Sequence, residues 1–263
     1  SHATPLADIM LRDVFAFRAG MAQSDAMQLT LARHYPVYPV CADDGTLLGL
    51  VRGQTLFEAK AFEITAQAGS MVGVEREERI STPLWRAFRF RHPWLQLNLL
   101  TAFLAGAVVA LFQGTIDQLV ILAAFLPVLA GQSGNTGCQA LAVTLRGLTL
   151  GEIKDGDGMK LVTKEGMLGA LNGGPVGLIA GVAMYVTATG QQSPDALMLA
   201  IVVFLAMIGS CTVSGICGAL VPLTLKRYGA DPATASSIFL TTATDIFSMG
   251  LLLGLATLMV WAL

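Results

Sequence analysis

The sequence predicts a mainly α, polytopic membrane protein: five transmembrane helices preceded by a small α/β region on the cytoplasmic side. Three observations lead there. Of the 263 residues, 54% are hydrophobic and only 13% charged, and the mean hydropathy is +0.65, outside the balance of a soluble domain. Charge is uneven, since ten of the sixteen Lys and Arg residues precede His92, so a polar head leads into an oily body. Five stretches of that body reach the roughly twenty apolar residues that cross a bilayer. The net charge of −2 gives no support to a nucleic-acid partner.

The head is expected over residues 1–70. Ser1-His2, with no initiator methionine, reads as a tag remnant of a chain cut from a longer protein, and no charged segment followed by an apolar core marks a signal peptide. Met27 to His34 suits a helix. Residues 36–58, "PVYPVCADDGTLLGLVRGQTLFE", read as strand, turn, strand and helix start, with the Asp-Gly pair between apolar runs making the turn. This order, with "LADIML" upstream, resembles one cystathionine-β-synthase (CBS) domain, a small regulatory module that works in pairs. The resemblance implies a possible nucleotide site and a partner face that a second chain could cover. Residues 71–92 form a connector. Its "EREERISTPLWRAFRFRHP" stretch, residues 75–93, suits either a helix lying along the inner surface with arginines at headgroup level or a plain basic flank.

The spans are expected near Trp94–Gln113, Gln118–Arg146, Leu168–Gly190, Ala196–Leu225 and Ala233–Leu263, making 93–263 the membrane domain. Basic residues set the orientation. With the head inside, Arg86, Arg89, Arg91, the segment from Arg146 to Lys164, and Lys226 and Arg227 all fall on the cytoplasmic side, while the loops near 114–117 and 191–195 hold no Lys or Arg. A multi-pass protein of the plasma (inner) membrane follows, with its N-terminus cytoplasmic and its C-terminus outside. "GCQALAVTLR" and "ICGALVPLTLK" hint at a parallel repeat of the second and fourth spans, although Ala/Leu-rich text readily produces such matches by chance.

Two spans are unusually polar. In the second, Pro127, Gly131, Asn135 and Gln139 recur every four residues and share one face, with Gly134 and Cys138 beside them. Small residues at that spacing serve helix packing, whereas amides and carbonyls freed by proline serve a hydrated cation. In the last span Ser237, Thr241, Asp245 and Ser248 form a polar stripe, and Asp245 is the one acidic residue well inside a predicted span. An ionisable group at that depth is by default a functional candidate.

One carboxylate among hydroxyls, amides and carbonyls is a hard-oxygen set, suited to Mg²⁺, which dehydrates reluctantly and keeps several waters. Soft metals find no histidine in the spans, and Cys41, Cys138, Cys211 and Cys217 lack zinc or disulfide spacing and read as small buried apolar residues. "EIKDGDGMK" has Asp155 and Asp157 beside glycines, but Gly166 stands where an EF-hand needs its glutamate. Glu165, at the inner mouth of the third span, is placed to attract cations.

At these residues the sequence resembles the MgtE family of magnesium transport proteins. The resemblance is carried by "PVLAGQSGNTGCQALAVTLRGLTLGEI" (127–153), "RHPWLQLNLLTAFLAG" (91–106), "KEGMLGALNGG" (164–174) and "ADPATASSIFLTTATDIFSMG" (230–250). It implies a homodimer in the bilayer with a pore on the twofold axis, lined by the second and fifth spans. It also implies that Asp245 holds hydrated Mg²⁺, or another divalent cation, with help from Gly131, Gly134 and Asn135; Thr241 and Glu165 complete the candidate set. Family members resemble a longer plan: an acidic helical N-domain, two CBS domains, and a plug helix at the position of residues 75–92. This chain shows no such N-domain and one CBS-like region, so the family's gating does not carry over. The remaining readings are an exchanger coupled to H⁺ or Na⁺ and a non-conducting sensor with a nucleotide-binding head. No ATP-binding loop of the Gly-x-x-x-x-Gly-Lys type supports a pump, and no second deep Asp supports an intramembrane protease. An enzyme is not expected.

Overall fold

The computed structural model describes residues 4–10, 14–31, 33, 35–154, 156–234 and 236–262. Ser1-His2, His34, Asp155 and Leu263, which figure in the expectations above, lie outside the described residues. The chain divides into two compact units, residues 1–65 and 66–263.

The first unit contains α1 (Leu6–Ile9), β1 (Phe17–Arg18), α2 (Gln23–Leu31), β2 (Val37–Cys41), β3 (Leu47–Arg52) and the start of α3 (Gly53–Met71). The Asp-Asp-Gly turn is where the sequence puts it: Gly45 adopts φ +86°, and the Asp44 carboxylate accepts the Thr46 N–H at 2.9 Å. β2 pairs antiparallel with β3, and β1 adds in parallel on the other side of β2. The two-residue β1 is not anticipated, because two residues carry no periodicity to read. α2 starts four residues before the expected Met27. Phe17, Ala26, Tyr38 and Leu56 form the core, with the Phe17 and Tyr38 rings stacked at 5.0 Å and the Tyr38 hydroxyl donating to the Arg33 carbonyl.

The second unit is built on α4 (Leu84–Leu111), the short α5 (Gln113–Gln118), α6 (Leu122–Leu150), α7 (Gly158–Gly190), α8 (Ala196–Arg227) and α9 (Ser236–Ala262). Among the described residues, α4, α7, α8 and α9 are long and apolar enough to cross a membrane. The sequence reading expects five such helices. α6 has the length, about 43 Å at 1.5 Å per residue, but its amides, hydroxyls and glycines are so spread that no span-length stretch of it is as apolar as those of the other four.

α4 and α7 each begin ten residues before the expected span. Charged residues end a hydropathy window but do not end a helix, whose backbone bonds continue regardless of side-chain polarity. After Met71, the last residue of α3, the connector expected over 71–92 is therefore helical only from Leu84, where it is already the first turns of α4. Arg86 and Arg91 pair with Glu75 at 3.5 Å and with Glu78.

α8 is the hub: it packs against α6, α7 and α9, while α4 packs on α9. Its neighbour α7 approaches through a row of glycines four apart. A methyl group built at Gly173 would lie 2.9 Å from the Ile208 Cα, and at Gly177 and Gly181 3.0 Å from the carbonyl oxygens of Phe204 and Ala200. Leu122, Phe125 and Leu129 of α6 share a core with Leu252, Leu253 and Ala256 of α9, and Leu141 and Leu145 share one with Leu240. These pairings make α6 and α9 antiparallel.

Candidate functional site

The expected polar face of α6 is an open face: Pro127, Gly131, Asn135 and Gln139 are all exposed within the chain. The glycines on this helix divide by role. A side chain at Gly137 would meet Leu240 of α9 at 2.9 Å, so that glycine serves packing. Nothing lies within 4 Å of a methyl group built at Gly131 or Gly134. Their smallness thus relieves no crowding inside the subunit, and it leaves the α6 backbone accessible on the side where Asn135 stands.

Asp245 is half-buried on α9. Among the described residues its carboxylate makes no ion pair and no hydrogen bond; its backbone carbonyl accepts from Ser248 at 3.2 Å. Thr241, one turn earlier, is half-buried and donates to the Ile238 carbonyl at 3.1 Å.

The contact between Gly137 and Leu240 sets the depth of these groups. Measured from it along the antiparallel pair, Asn135 and Gly134 lie about 3 and 4.5 Å toward one end of the bundle, and Gly131 about 9 Å. Asp245 lies about 7.5 Å toward the same end and Thr241 about 1.5 Å. The carboxylate therefore stands at a level between Asn135 and Gly131.

Other expected members are placed elsewhere. Ser237 donates to the Met71 carbonyl at 2.6 Å, and Ser248 turns into the core at 0% exposure, so the stripe on α9 narrows to Thr241 and Asp245. Three residues beyond Asp245 leave Ser248 offset by about 60° around the helix, on the flank that is packed. Glu165 is 4% exposed on α7, its carboxylate 3.8 Å from the Lys164 ammonium and its carbonyl against Gly215 of α8. It lies seven residues into α7, about 10 Å from the start of that helix. α7 makes no substantial contact with α9, so Glu165 and Asp245 are not brought together within the chain.

No three His, Cys, Asp or Glu residues among those described are grouped to hold a metal. Asp157 is engaged by Lys160 at 2.9 Å. The four cysteines are free, and Cys138 is exposed on the open α6 face, where a buried apolar role was expected; Cys211 is buried, its sulfur 3.6 Å from the Thr136 hydroxyl. Sequence reasoning passes over Asn172 of α7, which is exposed in mid-helix. The signal available for it is "LNGGPVG", the same mixture of amide, glycine and proline that draws attention to α6.

Residues 126–255 match the MgtE family, described as a divalent cation transporter. The chain is 30% identical over 255 residues to the magnesium transporter MgtE of Enterococcus faecalis, covering 97% of this chain and 55% of that protein. It is 26% identical to the proteins of the same name from Bacillus subtilis, covering 97% and 55% of the two chains, and from Thermus thermophilus, covering 98% and 56%. The chain thus spans about half the length of the curated relatives it matches. The polar α6 stretch and Asp245 both fall inside residues 126–255, the part of the chain that matches the MgtE family, a family of divalent cation transporters and not of enzymes.

Proposed function

We propose that the chain conducts Mg²⁺ across the plasma membrane through a pore on the twofold axis of a homodimer. The observation that carries the reading is the open α6 face with Asp245 at its level: a carboxylate without a partner among the described residues, and a stretch of backbone at Gly131 and Gly134 that no described side chain crowds. A second subunit related by a twofold axis brings a second Asp245, and two carboxylates balance one divalent ion. The magnesium transporters to which the chain is similar support the choice of ion.

In this reading α6 crosses the membrane with α4, α7, α8 and α9, giving five spans, a cytoplasmic N-terminus and an external C-terminus. Mg²⁺ keeps its inner waters. Asp245 supplies the charge that attracts it, while Asn135, Thr241 and the backbone at Gly131 and Gly134 accept hydrogen bonds from the water shell. Glu165, nearer the cytoplasmic end, adds negative potential. A potential of 100 mV supplies about 4.6 kcal/mol to a divalent ion, enough for uptake without a coupling ion. The CBS-like head is the regulatory region, and it pairs with its copy in the other subunit.

The test is Mg²⁺ uptake into proteoliposomes under an imposed inside-negative potential. Uptake that follows the potential and is abolished by Asp245→Asn, with the variant still folded, supports the pore. Uptake that instead follows an H⁺ or Na⁺ gradient makes the protein an exchanger, and folded protein without uptake removes conduction.

A further inference from the structure

Asn172 lies fourteen residues after the start of α7, about 21 Å along a helix of about 50 Å. It is exposed, and its side-chain amide makes no hydrogen bond among the described residues. Three residues on, Pro175 sits inside the helix and withholds the N–H that would bond the Leu171 carbonyl. An unbonded side-chain amide and a carbonyl without its usual donor therefore lie together near the middle of α7. Hydrocarbon offers neither of them a hydrogen bond.

The surroundings locate them. Gly173 packs on Cys211 of α8, with 3.1 Å between a methyl group built there and the Cys211 Cβ, and Thr136 of α6 approaches the same cysteine from its own side at 3.6 Å. α6 and α7 thus flank one α8 side chain at one depth, although they scarcely touch each other directly. Beside this shared contact stand Asn172 on α7 and, on α6, the exposed Gln132, whose carbonyl accepts the Thr136 hydroxyl at 3.0 Å. Glu165 is seven residues before Asn172 and so shares its face of α7. Leu178, Val182 and Tyr185, about 80–140° around α7 from Asn172, line an apolar groove with α8, a surface suited to lipid.

We infer that Asn172 faces water in the cleft between α6 and α7 and is a further neutral oxygen donor for the hydrated divalent cation, at the depth of Gln132 and Thr136. This rests on the conduction reading above for its ion but not for its water. The amide is neutral, so it attracts through its carbonyl dipole and leaves the charge to Asp245. Serine in its place retains an oxygen, whereas leucine removes it and closes the cleft to water.

The first experiment uses the full chain in liposomes with Asn172→Cys, treated with a membrane-impermeant cationic methanethiosulfonate and read by mass spectrometry at position 172. Leu178→Cys on the apolar groove is the reference. Labelling of Asn172→Cys is expected to be at least about tenfold faster than at the reference, and slowed by millimolar Mg²⁺. Equal rates at the two positions overturn the inference whether or not the chain conducts. The second experiment compares Asn172→Leu with Asn172→Ser. Leucine is expected to cut Mg²⁺ flux about tenfold, the scale of one hydrogen bond to a charged group, without raising the melting temperature, while serine keeps most of the flux. An Asn172→Leu variant that melts higher and conducts as the parent does would show an amide that merely faces lipid.

Discussion

Replacing Gly173 and Gly174 by alanine, one at a time, tests the close contact between α7 and α8. Both residues are in the interior of α7, so each substitution gains the same helix propensity, about 1 kcal/mol. Their surroundings differ. At Gly173 the new methyl meets the Ile208 Cα at 2.9 Å, the Cys211 Cβ at 3.1 Å and the Met207 carbonyl oxygen at 3.3 Å, two of them backbone atoms that no rotamer change can move. At Gly174 it meets nothing within 4 Å. Propensity cancels in the difference, leaving the overpacking cost of about 1–3 kcal/mol. At roughly 2–4 °C per kcal/mol for a unit of this size, Gly174→Ala should melt about 2–12 °C above Gly173→Ala in detergent. The assay is a thermal melt followed by intrinsic fluorescence or by loss of the monodisperse species. Equal melting of the two variants, or a more stable Gly173→Ala, would refute the argument that backbone contact holds these helices together.

Two smaller perturbations address the start of α9 and the segment leading into it. Burial pushes the Asp231 carboxyl up, but the Ala233 N–H, the Thr234 hydroxyl and the Arg76 guanidinium together hold it below the ordinary carboxylate value. Its contribution to stability is therefore complete above the ordinary value of about 3.9 and is lost as pH falls through the lower folded value. Asp231→Asn should melt below the parent at pH 7, and the gap should close only in strong acid; a gap that closes already at pH 5 would contradict the assignment. Ser237→Ala removes the 2.6 Å bond to the Met71 carbonyl, worth about 1 kcal/mol. Amide exchange around residues 66–73 should accelerate several-fold, with no change in the core of α8.

The shared face of α6 is legible in the sequence, because a spacing of four residues maps directly onto one side of a helix; that Pro127, Gly131, Asn135 and Gln139 are all exposed is added by the structure. What each glycine does is not legible. Gly137 packs on Leu240 while Gly131 and Gly134 stand clear, a distinction set by where α9 crosses α6 and not by the local string. For the same reason Ser248 reads as part of a stripe but lies in the core. The Asp-Gly turn is fully local and is found in place. The N-terminal ends of α4 and α7 are hidden because hydropathy reports the solvent a segment prefers, and these helices extend past the apolar stretch. Asn172 escapes because an isolated amide in a Gly/Pro-rich string acquires meaning only when Gly173 and Thr136 are seen on the same cysteine.

The packing order also bears on how the chain is assembled as it is made. α7 and α8 are consecutive, and their glycine row lets them close as a hairpin as soon as both have left the ribosome. α4, only 6% buried along its apolar window, has α9 as its main neighbour, and about 125 residues separate the end of one from the start of the other. At synthesis rates of 5–20 residues per second, α4 waits roughly 6–25 s in lipid before its partner exists. During that interval any truncated or stalled product presents α4 alone to the membrane, so a membrane quality-control protease has a long window on this helix and almost none on the α7–α8 hairpin.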